Sequence, residues 1–115
     1  EKEAVVPDER PVIAGVFYNR LQRNMRLESC ATIQFLLGTP RTLLYADLEI
    51  VSPYNTYRNL GLPPGPIANP GLAAIRAALE PAPTAYLFFV ARRDGTHIFS
   101  PTYEQHQAAI RQARR

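Results

Sequence analysis

A chain of 115 residues with a net charge of +3 has room for one small core and no more. Hydrophobic residues make up 46%, which excludes a disordered polyelectrolyte, and no apolar run reaches the ~18 residues of a membrane-spanning helix. Lys2 is the single lysine beside twelve arginines, so an enzyme holding pyridoxal phosphate as a Schiff base would have only Lys2 to hold it with.

Residues 1–6 contain no helix breaker and predict the end of a helix that began upstream. The opening Glu1-Lys2-Glu3 has neither an initiator nor a cap, so the chain is expected to be a piece of a longer protein. Pro7-Asp8 interrupts, and Asp8 is placed to cap a new helix with Pro11 in its first turn. Val12, Ile13, Val16, Phe17 and Leu21 recur at three- and four-residue steps and make one apolar stripe. Asn24 suits a left-handed stop. Ser29 to Leu37 predicts a short second helix ended by Gly38.

Residues 39–69 predict a long loop, from Thr39-Pro40 through Ser52-Pro53-Tyr54-Asn55-Thr56-Tyr57 to Gly61-Leu62-Pro63-Pro64-Gly65-Pro66. Loops of this length are usually functional or disordered. The aromatic and aliphatic residues here, with prolines that fix φ, argue for order. Asn69-Pro70 predicts a cap and first turn for a helix through Leu72, Ile75 and Leu79 to Glu80-Pro81. Ala85 to Ala91 is a near-continuous apolar run and the best strand in the chain. Arg93-Asp94-Gly95 turns it into Thr96–Phe99, and Thr102 caps a last helix with Gln105 at the capping-box position. The expected fold is α+β: helices on a small antiparallel hairpin with a long ordered proline-rich loop, all in one unit, 1–115.

Chemistry is sparsely marked. Cys30 is the only cysteine, so no internal disulfide forms, and its apolar neighbours predict a packed thiol. His97 and His106 have no ligand spacing with Cys30 or a carboxylate, so no metal is expected. His97 is expected to be a satisfied structural histidine. Only Arg92-Arg93 and Arg114-Arg115 are adjacent arginines, and no recognition motif is present, so no nucleic-acid partner is expected. There is no nucleophile elbow and no phosphate-binding glycine loop.

One resemblance spans nearly the whole chain. Glu1-Lys2-Glu3-Ala4, Glu9-Arg10, Val16-Phe17-Tyr18-Asn19-Arg20-Leu21 and Met25-Arg26-Leu27 come first. Ser52-Pro53-Tyr54-Asn55-Thr56-Tyr57, Gly61 through Gly71, Tyr86 through Ala91 and His97-Ile98-Phe99-Ser100 follow. In this order and spacing they resemble the catalytic portion of the YceG-like, MltG-type endolytic murein transglycosylases. An older label for that family, aminodeoxychorismate lyase, implies pyridoxal phosphate, which a single lysine between two glutamates supports poorly. The resemblance implies a bacterial enzyme at the inner or plasma membrane. Its anchor and LysM-like region would precede this chain, and its catalytic domain would face outward. It implies peptidoglycan glycan strands as substrate, cell-wall synthesis proteins as further partners, and no cofactor. It also implies a catalytic glutamate in the Glu-Lys-Glu motif: Glu3, with Glu1 as second choice. The wording Leu27-Glu28-Ser29-Cys30 departs from the family's commoner Gln-Ser/Thr-Asp. Asn19, Gln34, Tyr54, Asn55, Thr56 and Tyr57 are expected to line the glycan cleft, amides on N-acetyl groups and tyrosines on sugar faces. The alternative function is a glycan-binding fragment without catalysis or, behind that, a nucleic-acid-binding module suggested by the basic balance.

Overall fold

The computed structural model describes residues 1–38 and 41–114; Thr39-Pro40 at the head of the expected loop, and Arg115, lie outside them. The described chain is α+β, with four α-helices and one two-stranded antiparallel sheet. It divides into two units. The first holds Glu1, residues 3–19 and the chain from Pro70 onward; the second holds Lys2 and residues 20–69.

In the first unit, residues 1–6 are not helical, contrary to expectation. Val6 precedes a proline, and proline's Cδ pushes its predecessor out of the α region; Val6 sits at φ −91°, ψ 124°. The chain then enters a single 3-10 turn, Pro7–Glu9, and passes into α1, Arg10–Gln22. Asp8 therefore lies inside the turn instead of capping the helix. Pro11 falls in the first turn of α1 as expected, where its missing N–H costs nothing.

Pro11, Gly15 and Asn19 recur every four residues and so share one face of α1. The main-chain N–H of Ala82 donates to Pro11 O at 2.9 Å. A Cβ on Gly15 would stand 2.6 Å from Ala82 O. The Asn19 amide donates to Thr84 O and to Tyr86 O, both at 2.8 Å. Contacts move from residue 82 to 84 to 86 as the helix advances. Four helical residues rise about 6 Å and two extended residues about 6.6 Å, so helix and extended segment stay in step. This seam shortens the predicted strand. The carbonyls of Thr84 and Tyr86 serve Asn19, and β1 begins only at Phe88, running to Ala91.

β1 pairs with β2, His97–Ser100, with Phe89 opposite Phe99 and Ala91 opposite His97. Gly95 takes φ 91° in the connecting turn, and the Asp94 carboxylate accepts from the main chain and hydroxyl of Thr96. Alternate side chains of β1 face opposite ways. Phe88 stacks on His106 of α4 (Tyr103–Ala113), centroids 5.0 Å apart, while Phe89 meets Phe17 of α1 edge-on at 5.8 Å. Both faces are covered, which explains a run that is apolar throughout instead of alternating. Thr102 caps α4 by accepting from Gln105 N, as expected.

α3 spans Leu72–Leu79 and ends before Pro81 as predicted, but its N-cap is Gly71, not Asn69. The start of α1 is tied to the head of β2 by Glu9. Its carboxylate accepts from His97 N and pairs with His97 Nδ1, both at 2.9 Å. His97 is buried and satisfied, as expected.

In the second unit the last turn of α1 ends at Gln22, and Asn24 takes φ 55°, the predicted left-handed stop. α2 spans Cys30–Leu37 and closes on Gly38 at φ 79°. A 3-10 helix, Tyr45–Glu49, lies within the expected loop. The fully buried side chains here are one isoleucine, Ile33, and two polar residues, Asn55 and Thr56.

Candidate functional site

The acidic opening of the chain lies in the first unit. Glu1 is exposed, and its Oε2 accepts from Gly71 N at 3.1 Å. Gly71 is the N-cap of α3, and its own N–H, which an N-cap side chain does not serve, is met by a carboxylate 70 residues away. A carboxylate there also meets the positive end of the helix dipole. Glu3 is half-buried. Of the two expected acids, Glu1 thus has a structural duty in accepting from Gly71 N.

Asn19 has both amide hydrogens committed to the seam with Thr84 and Tyr86. Only its carbonyl oxygen keeps acceptor capacity for anything else.

The remaining expected residues belong to the second unit, where they have different duties. Asn55 is 0% exposed. Its amide donates to Leu48 O at 2.9 Å and Ile50 O at 2.7 Å, and its Oδ1 accepts from Tyr57 N at 2.9 Å. Its main chain accepts from Arg58 and Asn59. A buried asparagine with every donor used cannot also grip a ligand. Thr56 is 2% exposed. Its hydroxyl accepts from Ser29 N at 2.9 Å and lies 3.0 Å from the Thr32 hydroxyl. Thr32 gives its own hydrogen to Ser29 O at 2.8 Å, and the Thr56 hydroxyl also reaches Ser29 O at 3.4 Å. Asn55 and Thr56, which were expected to line a cleft, lie buried as internal struts of the loop.

Their neighbours face outward. Tyr54 is half-buried and its ring meets Phe35 of α2 at 5.2 Å, tilted by 36°. Phe35 is 45% exposed, so the pair forms an aromatic edge open to solvent. Gln34 is half-buried beside Phe35 in α2, and its side chain makes no hydrogen bond to another described residue. The Tyr57 hydroxyl lies 3.0 Å from Cys30 Sγ. Cys30 itself is exposed, which overturns the packed thiol. As the first residue of a helix it sits on the open turn, whereas Thr32 and Ile33, further along, turn inward.

Arg20 and Phe35 were not marked in advance, and Glu28 was marked only as a departure from the family's wording. Arg20 is buried and donates to Arg26 O at 2.8 Å. Burial pulls its guanidinium below the ordinary value; the charges of Glu28 and Tyr57 push it back up. An arginine on an apolar helix stripe gives no sign that it will be buried. The sign for Phe35 was available: Phe35 and Ile33 in one short helix cannot both face a small interior.

Together these groups can do two kinds of chemistry. The second unit offers an aromatic edge with amide and hydroxyl groups beside it, suited to a carbohydrate face. The first offers a half-buried carboxyl group, suited to proton transfer.

Comparison with known proteins bears on both. The model of the YceG-like family matches residues 1–112. A curated protein of Bacillus subtilis named endolytic murein transglycosylase is 47% identical over 110 residues, 95% of this chain and 31% of that one. One of Streptococcus pneumoniae with the same name is 38% identical over 117 residues, 96% of this chain and 21% of that one. A crystal structure of a YceG-like protein from Listeria monocytogenes superposes with a TM-score of 0.90 at 48% identity, covering 94% of this chain and 36% of the other. The chain spans about a third or less of the length of these relatives.

Proposed function

Because the chain belongs to the YceG-like family, we propose that it is catalytic portion of an endolytic murein lytic transglycosylase. Such an enzyme would cut the bond between N-acetylmuramic acid and N-acetylglucosamine within peptidoglycan strands and leave 1,6-anhydro ends. The observation that carries this reading is the 47% identity to the Bacillus subtilis endolytic murein transglycosylase across 95% of this chain. On this reading the protein works outside the cytoplasm, on the cell wall. No helix among the described residues is long and apolar enough to cross a membrane, so an anchor would lie elsewhere in the protein.

One carboxyl group suffices for the reaction. Protonated, it donates to the leaving glycosidic oxygen; ionised, it takes the proton of the muramic acid C6 hydroxyl, which attacks its own C1. No second carboxylate is required to activate water or to form a glycosyl-enzyme, unlike in ordinary glycosidases. The nucleophile is tethered to the sugar, so positioning supplies much of the rate.

We assign the carboxyl role to Glu3. Glu1 is exposed and its Oε2 accepts from Gly71 N, whereas Glu3 is half-buried. The Phe35–Tyr54 edge, Gln34 and Tyr57 are the groups proposed to meet the glycan. The Asn19 carbonyl oxygen is the one part of that side chain open to such a role.

The test is Glu3→Gln in the full-length protein, given purified uncrosslinked glycan strands and assayed by mass spectrometry for anhydro-ended products. Product should fall by about 10²-fold or more, the range for losing a general acid. Glu1→Gln should retain most of the activity. If Glu3→Gln is undiminished and Glu1→Gln is inactive, the acid is Glu1. If the unaltered protein binds strands without cleaving them, the glycan-binding alternative holds.

A further inference from the structure

Glu28 is a non-glycine residue at φ 50°, a conformation that a side chain disfavours and that glycine or asparagine adopts readily. Two adjacent main-chain bonds hold it there. Glu28 N donates to Thr56 O at 3.2 Å, and Ser29 N donates to Thr56 Oγ1 at 2.9 Å. Thr56 is itself buried and braced by Thr32. The backbone is thus fixed in the left-handed region by the same loop that carries Tyr54 and Tyr57.

The side chain so placed makes no bond that holds the loop. Glu28 is exposed, and its carboxylate makes no hydrogen bond or ion pair with another described residue. Its charge is nevertheless felt by the buried Arg20 guanidinium. The Tyr57 hydroxyl, on Cys30 Sγ, lies on the same stretch of α2 that follows Glu28. A strained, anchored position whose carboxylate has no hydrogen-bond partner among the described residues, held by the loop that also carries Tyr54 and Tyr57, suits a ligand rich in hydroxyl and amide donors.

We propose that Glu28 is a specificity-determining residue that contacts the glycan, its carboxylate accepting from a saccharide hydroxyl or acetamido N–H. This rests on the reading of the protein as a glycan-cleaving enzyme. Glutamine keeps an acceptor oxygen at the same reach, whereas glycine removes the acceptor and relieves the backbone.

Strain and ligand contact therefore make opposite demands on Glu28→Gly. In the full-length protein, Glu28→Gly should raise Tm by about 2 °C. It should weaken binding of an N-acetylglucosamine oligomer, measured by calorimetry, about tenfold. KM for glycan strands should rise by a similar factor, with kcat held within about threefold. Glu28→Asn, which also tolerates this φ but is one methylene shorter, should follow glycine. Glu28→Gln should restore affinity to within about threefold of the parent. Parental affinity in Glu28→Gly would overturn the proposal, and so would a fall of Tm together with affinity, since the side chain would then serve the fold. If the unaltered protein binds the oligomer but cleaves no strand, the enzymatic reading fails while the binding results still decide Glu28. If it binds neither, both readings fall.

Discussion

The two units are built from opposite materials. In the first, apolar residues from helix and sheet close on each other: Ile13, Val16, Ala77, Leu87 and Ala109 are buried, and phenylalanines flank the hairpin on both faces. A long-range polar seam joins an extended segment to a helix through Pro11, Gly15 and Asn19. In the second unit, Leu27 and Ile33 are the buried apolar residues, and Arg20, Thr32, Asn55 and Thr56 are buried with them. A loop short of apolar residues cannot be held by burial alone. It is held by satisfied polar groups, which are directional and costly to leave unpaired. Burial tolerates approximate shape; hydrogen-bonded struts fix individual atoms, which suits a surface that must meet a ligand.

The comparison is broken most severely at Gly15. A Cβ there would lie 2.6 Å from a main-chain carbonyl, which has no rotamer to yield with. Gly15→Val should cost about 3 kcal/mol or more and Gly15→Ala about 1–3, the usual penalty for overpacking. Thermal unfolding of the two variants would read this. A tolerated Gly15→Val would mean that helix and segment separate freely.

Asn55 is the matching position in the second unit. Asn55→Ala leaves the carbonyls of Leu48 and Ile50 and the N–H of Tyr57 without a side-chain partner, and should cost about 2–3 kcal/mol. Asn55→Asp should be worse than alanine at neutral pH, because it puts a charge against two carbonyls that need donors. Amide exchange in residues 48–57 would show the loss locally. If Asn55→Ala changed glycan affinity and left exchange untouched, Asn55 would be a ligand contact after all.

Glu9 sharpens the contrast, because it is a polar strut inside the apolar unit. Glu9→Gln keeps one acceptor oxygen for His97 N but presents an amide where Nδ1 needs an acceptor or a charge. A loss of about 1–2 kcal/mol in chemical denaturation is expected, in the range for hydrogen bonds to charged groups. A neutral result would mean that the bond to His97 N carries the tie alone.

Much of this division was legible in the sequence. The apolar stripe of α1, the Gly38 and Asn24 stops, the Thr102 cap and the hairpin all follow from local spacing, which is where sequence signals are strongest. The errors share a cause. Residues 1–6, the Asp8 and Asn69 caps and the early start of β1 each turn on a contact with distant chain or on the residue before a proline. The candidate site shows the same pattern. Tyr54-Asn55-Thr56-Tyr57 was recognisable as one motif. Nothing in it separates struts from surface, because alternation of inward and outward residues is not guaranteed in a loop. Only its bonds to Leu48, Ile50 and Ser29 sort Asn55 and Thr56 from their tyrosine neighbours.

The smallest expected effect is one the two units share. Each has an aspartate that organises a turn, exposed in the first and half-buried in the second. In the first, the hydroxyl and then the main-chain N–H of Thr96 hold the Asp94 carboxyl below its ordinary 3.8. In the second, the N–H of Leu44 and then the Arg41 guanidinium do the same for Asp47. A carboxyl group whose folded pKa is depressed contributes stability that is full above the unfolded value. That contribution fades as pH falls from there through the lower folded value. Both turns should therefore be intact at pH 5 and loosen only in acid, below about 3.8. Carboxyl-carbon chemical shifts followed against pH would give both midpoints. Salt should move Asp47 toward the ordinary value more than Asp94, because screening weakens the Arg41 pair and leaves the neutral hydroxyl and amide donors of Thr96 in place. Asp94 also feels the charge of Arg92, but only after both donors of Thr96; equal salt sensitivity would mean that Arg41 adds no more at Asp47 than Arg92 does at Asp94, and that the bond from Leu44 holds the second unit's turn.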